Sequence, residues 1–464
     1  MHLADELAAR SSALRFEDLP ADAVAWAKVG ILDTVGVTVA GSSEPCARIV
    51  GEVAAGGGAS QGKSIVFGTA AHASALDAAL INGTAAHALD FDDCNNTLGG
   101  HPSAPILPVL FALADERTVD GRGFIAAYVA GFETECKLAH GVNFHHYTKG
   151  WHATATLGVH GAAAAACHLM RLDAARTATA LALASSLASG LKSNFGTMTK
   201  PLHVGHCARN GLLAALLAAR DFTANVGAFE HSQGFLEVFN GPGTYDVARM
   251  LEGWGAPFDI VTPGIAIKQY PCCGSTHPAL DVMLDLVRRH DLKPDQVARI
   301  DCWIHGRRLE HTNRPDPQGD LAAKFSLQYC VARALTDRTI RIDHFEGEAF
   351  RDPAVRAVLP RVHAAAYTQA QFPADKHFAA EVRMTTVDGT VFSGKTDEPL
   401  GRTSANALPA ARLREKFENC VGRVLPASRA PAVAEMIEGL EAVADMRTLS
   451  AQLAAAPAEQ RRRA

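Results

Sequence analysis

The chain has 464 residues, enough for two or three domains and for a buried core that needs no disulfide staples. Hydrophobic residues make up 48% and charged residues 20%, a globular balance that excludes a mostly disordered chain. Lys plus Arg number 44 against 49 Asp plus Glu, so the net charge of −5 leaves no basic excess for a nucleic-acid backbone.

From residue 1 to 258 the pattern is helical almost throughout. Asp5 and Glu6 fall where a secretory signal would need a positive and then apolar start, so a cytoplasmic protein is expected. Pro20 marks a helix start, and Val24, Ala27, Ile31, Val35 and Val39 follow at helical spacing. Further helices are predicted over 71–89, 105–114, 124–139, 156–170, 174–187 and 208–220. Many are rich in Ala and Leu with little polar face, so they belong in a bundle interior or at a homo-oligomer interface. The uncharged stretches 150–170 and 177–191 are interrupted by histidines or serines and read as buried helices, not membrane spans.

Near Gly264 the pattern changes. Ile300, Cys302 and Ile304 alternate with polar neighbours, and 380–386 and 390–393 flank Asp388-Gly389, a hairpin turn signal. Helices over 277–289 and 321–335 lie between these strands. The chain turns helical again after Pro399. The expected architecture is therefore mainly α: a large helical domain from 1–258 and 401–464, with a smaller α+β domain inserted at 259–400.

Several motifs carry less than their letters promise. Gly57 to Ser64 matches a phosphate-binding loop, but a helix precedes it and a strand-like Ile65-Val66-Phe67 follows, the reverse of what that loop requires. A flexible surface loop is the better reading. Asp90, Asp92 and Asp93 could gather Mg²⁺, could cap neighbouring helices, or could open a catalytic loop leading to His101. His203 and His206 lack a carboxylate or thiolate partner, so no zinc site is expected. The ten cysteines contain no Cys-x-x-Cys pair and read as reduced thiols; the adjacent Cys272-Cys273 is a weak nucleophile signal. Arg461 to Arg463 read as a solvated tail.

His101, His152, Lys200, Lys268, His277 and Tyr329 each sit at or beside a junction, the places that present side chains to clefts. Histidine, lysine and tyrosine bind carboxylates and move protons near neutral pH. On these residues alone the chain is a helical enzyme doing acid–base chemistry on an anion, with a non-catalytic helical scaffold or a Mg²⁺ enzyme using the three aspartates as the other classes.

Six segments carry a resemblance: Ile31 to Gly36, Ala88 to Asp93, His101-Pro102-Ser103, Gly150-Trp151-His152, Thr199 to His203 and Lys268 to Cys272. In them the chain resembles the MmgE/PrpD family of 2-methylcitrate dehydratases, cis-aconitate decarboxylases and iminodisuccinate epimerases. The resemblance implies a helical domain with a smaller α+β lid, a homodimer, and catalysis on a small polycarboxylate without metal or organic cofactor. It implies a lyase of dehydratase or decarboxylase type, with an epimerase (isomerase) as the alternative. His101, His152, Lys200 and Tyr329 would be catalytic, and Asp93, Thr97, Lys268 and Cys273 would bind substrate. Cys273 stands where the decarboxylase branch looks to carry a histidine, and Asp92 where the dehydratase branch tends to carry asparagine.

Overall fold

The computed structural model describes residues 2–56 and 62–456. Most of the phosphate-loop look-alike and the Arg461 to Arg463 tail lie outside the described residues.

The helical part begins with α1 (Leu3–Ala13), α2 (Ala21–Gly41) and α3 (Pro45–Gly56). A two-residue hairpin, β1 (Ser64–Ile65) and β2 (His72–Ala73), leads to α4 (Ala75–Ala88), α5 (Ser103–Glu116) and α6 (Gly121–Val142). Then come α7 (Gly158–Leu169), α8 (Ala174–Leu187) and α9 (Thr199–Ala218). The helix expected from 156 starts as a separate turn, Ala153–Thr156, because the chain kinks at Leu157. The helix expected from 208 starts nine residues earlier, at Thr199, where Lys200 and Pro201 form its first turn.

Side chains such as Val35, Phe111, Phe132 and Leu157 fill one core, and Leu413, Phe417 and Leu449 from the end of the chain join it. Those last three come from α12 (Ala410–Gly422) and from Arg447–Leu453. The α2 helix is the one described helix long and apolar enough to cross a membrane, and most of its surface lies inside this core.

Residues 270–392 build a second core around Leu280, Met283, Ile300, Val331 and Val382. Its elements are α10 (His277–His290), β3 (Val297–Ile304), α11 (Leu327–Asp337), β4 (Val362–Ala366), β5 (Ala380–Thr386) and β6 (Val391–Thr396). The sheet order is β4-β3-β5-β6; β4 runs parallel to β3 and the other pairs are antiparallel. The Asp388-Gly389 hairpin forms, with Gly389 at φ 85°. The β4 strand escapes the period-two signal because its Ala364-Ala365-Ala366 run carries no alternation.

The α4 and α9 helices run antiparallel and nearly touch. A Cβ on Gly83 would meet the Gly205 Cα at 2.9 Å, and one on Gly205 would meet the Leu80 carbonyl oxygen at 2.2 Å. Two glycines at one crossing let the backbones approach, and the C-terminal end of α4 thereby meets the N-terminal end of α9.

Candidate functional site

Past the end of α4 the chain turns sharply. Asp90 takes φ 52°, a left-handed conformation that aspartate tolerates better than most residues. Three successive carbonyls beyond the helix each accept a hydrogen bond from a buried lysine: Leu89 from Lys324 (2.9 Å), Asp90 from Lys268 (2.7 Å) and Phe91 from Lys416 (2.7 Å). Ammonium groups suit this place, since the helix end carries partial negative charge. Lys416 also donates to the Lys268 carbonyl (3.0 Å) and pairs with buried Asp33 (2.6 Å), so α12 and α2 fix both segments at once.

This turn forms one wall of a cavity of about 810 Å³ between the two cores. Asp90 Oδ1 lies 2.6 Å from Lys200 Nζ, and Asp90 Oδ2 lies 3.0 Å from Lys268 Nζ. Burial would push the Asp90 carboxyl up, but the two lysines outweigh it and hold it well below the usual range. Lys268 is held in its charged form: burial opposes this, and Asp90 with Cys94 overcomes it.

Behind them, Asp92 joins two imidazoles. Its Oδ2 lies 2.7 Å from His87 Nδ1 and 3.1 Å from His101 Nδ1. Burial pulls the His101 imidazole down, but Asp92 and Cys94 carry it up to about 9, so it is an imidazolium at neutral pH. The Cys94 sulfur is 3.8 Å from His101 Nδ1. Burial pushes its thiol up, and His101 and Lys268 bring it down to about 6. His152 faces the same cavity with its Nδ1 3.3 Å from His203 Nδ1. Burial, and then the Lys200 charge, hold His152 well below the usual histidine range, so it is neutral. Beside the Asp90 turn the cavity thus offers a charged imidazole, His101, and a neutral one, His152.

The opposite wall comes from 307–311, 375–378 and 397–402. Arg308 and Arg402 stack on the Phe378 ring, 3.8 and 3.6 Å from its centroid. Lys192, Lys200, Lys268, Arg307, Arg308, Lys376 and Arg402 line the cavity, seven cations against the five acids Asp90, Glu310, Asp375, Asp397 and Glu398. Fixed positive groups on two facing walls can hold the carboxylates of a small polyanion and stabilise charge that develops between them.

Five residues singled out in the sequence meet here: His101, His152, Lys200, Lys268 and Cys273. Three do not line the cavity. Tyr329 is fully buried in the second core, where its hydroxyl donates to the His344 carbonyl and accepts from Arg333 Nε (2.9 Å). Asp93 turns away and accepts from the Ser103 hydroxyl and amide; burial holds its carboxyl well above the usual range. Thr97 offers its carbonyl to the Asn143 side-chain amide, which donates to it at 2.9 Å. His277 is also a packing residue, against Tyr270.

The residues sequence reasoning passed over are His87, Asp90, Asp92 and Cys94 as acid–base groups, and Arg308 and Arg402 as anion holders. In the sequence Asp90 and Asp92 stood as possible Mg²⁺ ligands, helix caps or the opening of a catalytic loop, with no role assigned to either side chain. The three aspartates do not converge: Asp90 faces the lysines, Asp92 the imidazoles and Asp93 Ser103. His206 sits away from the cavity, beside Ser189 and Asn210. Among the described residues His87, Asp92 and His101 bring three ligand-type atoms within 4.8 Å. Those atoms already share hydrogen bonds, and the Lys200 ammonium lies 2.6 Å from His87 Nε2. The donor set fits a hydrogen-bonded chain better than a dication beside a lysine.

Comparison with known proteins decides the family. The MmgE/PrpD N-terminal domain matches residues 5–248, and the MmgE/PrpD C-terminal domain matches residues 270–442. The chain belongs to the MmgE/PrpD family. Among relatives of this MmgE/PrpD chain, human cis-aconitate decarboxylase is 29% identical over 375 residues, covering 79% of this chain and 76% of its own. The cis-aconitate decarboxylase of Aspergillus terreus is 26% identical over 464 residues, covering 95% of this chain and 93% of its own.

Proposed function

We propose that the chain is a cofactor-independent lyase acting on a small di- or tricarboxylate, with loss of CO₂ from a tricarboxylate such as cis-aconitate as the favoured reaction. The observation that carries this reading is an imidazolium, His101, held charged by Asp92 and Cys94 in a cavity lined by seven cations. Lys200, Lys268, Arg308 and Arg402 hold the carboxylates. Departure of CO₂ leaves an electron pair beside a remaining carboxylate, and the nearby cations stabilise that charge. His101 then gives its proton to the carbon. Cys273 also lines the cavity, but its thiol is pushed up by burial, whereas His101 is held in its charged form. The decarboxylase relatives support the same substrate class.

Dehydration is the second reading, and neutral His152 favours it. A neutral imidazole can take a proton beside a carboxylate while His101 protonates the departing hydroxyl. The part built around the second core acts as a lid in either reading, since Arg308 approaches the substrate from its side.

Proton NMR of the purified protein with a panel of di- and tricarboxylates, with and without EDTA, tests the reading. The panel includes cis-aconitate, a 2-hydroxytricarboxylate and an iminodicarboxylate. Consumption of cis-aconitate with release of CO₂, unchanged by EDTA, is expected. Turnover of the hydroxy acid alone would shift the assignment to dehydration, and of the iminodicarboxylate alone to epimerisation. No turnover of any member, or turnover abolished by EDTA and restored by Mg²⁺ or Zn²⁺, would overturn it.

A further inference from the structure

Two cavity groups with different tasks, Lys200 and His101, are tied to one side chain that does not reach the cavity. His87 sits on the last turn of α4, fully enclosed. Its Nε2 is 2.6 Å from Lys200 Nζ and its Nδ1 is 2.7 Å from Asp92 Oδ2, the oxygen that also meets His101 Nδ1 at 3.1 Å. A lysine ammonium only donates hydrogen bonds, and a carboxylate only accepts them. His87 must therefore accept at Nε2 and donate from Nδ1, which fixes it as one neutral tautomer. Burial, with Lys200 on one side, keeps it neutral, down at about 3 despite Asp92. The place needs an acceptor and a donor on opposite sides of one rigid group, and the neutral imidazole supplies both.

We propose that His87 is the positioning residue of the site, setting the aim of the Lys200 ammonium through Nε2 and the proton affinity of His101 through Asp92. The chain does not move a proton from Lys200 to His101, because His101 Nδ1 already carries the proton that faces Asp92. Its effect is on affinity and direction. Asp92 divides its charge between two N–H donors; with one removed, more of that charge falls on His101, which then holds its proton more tightly. The groups facing His101 are Asp90, Asp92 and Cys94 on the loop after α4, Lys268 from beyond residue 260, and the His87 ring at 4.5 Å. Those facing His87 are Asp92, Lys200, His101 and His152. Asp90 also lies between Lys200 and His101 (2.6 and 3.9 Å), but it does so from within the cavity; His87 joins them from behind, through Asp92.

The proposal rests on the reading of His101 as proton donor and Lys200 as carboxylate anchor, and two variants separate its halves. His87→Gln can keep an acceptor near Lys200 but lacks the donor at the Nδ1 position. His87→Asn can keep a donor near Asp92 but does not reach Lys200. Histidine NMR of His101 across pH, with KM measured on the substrate the panel identifies, reads both. For His87→Gln the His101 midpoint is expected to rise by about half a pH unit or more, with KM within about 2-fold. For His87→Asn the midpoint stays and KM rises about 10-fold. Unchanged midpoints and KM in both folded variants, the reverse pattern, or loss of folding in both would overturn the proposal, the last by making His87 structural. The NMR titration needs no turnover, so a wild type inactive on every polycarboxylate would sink the functional reading and leave the His87–Asp92–His101 coupling to be judged by the midpoint.

Discussion

His101 carries the sharpest pH signature in the molecule. Its folded value of about 9 lies above its ordinary 6.5, so the stabilisation from its pairing is complete below about pH 6.5. That contribution is lost as pH rises through about 9, and a step in thermal midpoint over this range, absent in His101→Gln, is the check. Activity should fall through the same range as the imidazolium is lost. His101→Gln should lower kcat about 100-fold or more, the usual scale for a missing general acid. A second contrast separates neighbours in one motif. Asp90→Asn removes the partner of two cavity lysines and should change KM and kcat strongly. Asp93→Asn replaces a carboxyl that faces Ser103 instead of the cavity and that burial pushes toward its neutral form, so kinetics and their pH profile should stay close to wild type. Steady-state kinetics on both variants decides it. At this scale the sequence displayed His101, His152 and Lys200 because each lies at a helix boundary, and Lys268 because it lies in the junction before Pro271. It could not say which aspartate of Asp90-Phe91-Asp92-Asp93 faces the cavity. That depends on the left-handed turn at Asp90 and on lysines that come from positions 268 and 324.

Among the elements, two contacts fix the geometry of the site. Gly205 lets α9 lie against α4, and a methyl group there would run into the Leu80 backbone, which cannot yield as a side chain could. Gly205→Ala should cost about 1–3 kcal/mol of stability and raise KM, because Lys200 at the start of α9 moves with the helix. Chemical denaturation and kinetics on the same preparation test both halves. Lys416 binds α12 to α2 and to the Asp90 turn; Lys416→Met leaves Asp33 buried without a partner and should cost about 3–5 kcal/mol. Pairing it with Asp33→Asn should recover part of that loss, and no recovery would show that Lys416 acts mainly through the two carbonyls it also holds. The long helices and the 380–396 hairpin were legible from periodicity and turn chemistry. The β4 strand was not, since an alanine run has no period and its pairing to β3 is long-range. The start of α9 was legible at Lys200-Pro201, which marks a helix start, although the apolar periodicity shows only from 208.

For the whole molecule, two cores with a cationic cavity between them point to closure. Lys200, Lys268, His101 and His152 line one wall and Arg308 and Arg402 the other, so closure of the walls on a bound polyanion, with exclusion of water, is the expected motion. Small-angle scattering with saturating tricarboxylate should show a smaller radius of gyration than without it; identical curves would count against the lid. The homodimer expected from the resemblance has its own check. Sedimentation should give twice the 49.0 kDa chain mass, and a monomer at working concentrations would reject it. The claim on which the rest depends is that a proton held on His101 ends on a carbon of the substrate. Turnover of cis-aconitate in deuterated water, with the product read by NMR, measures it most directly. The account predicts one carbon-bound deuterium per product molecule with the wild type and a rate about 100-fold lower with His101→Gln. Product formed at a near-normal rate by that variant, with deuterium incorporated as before, would contradict it.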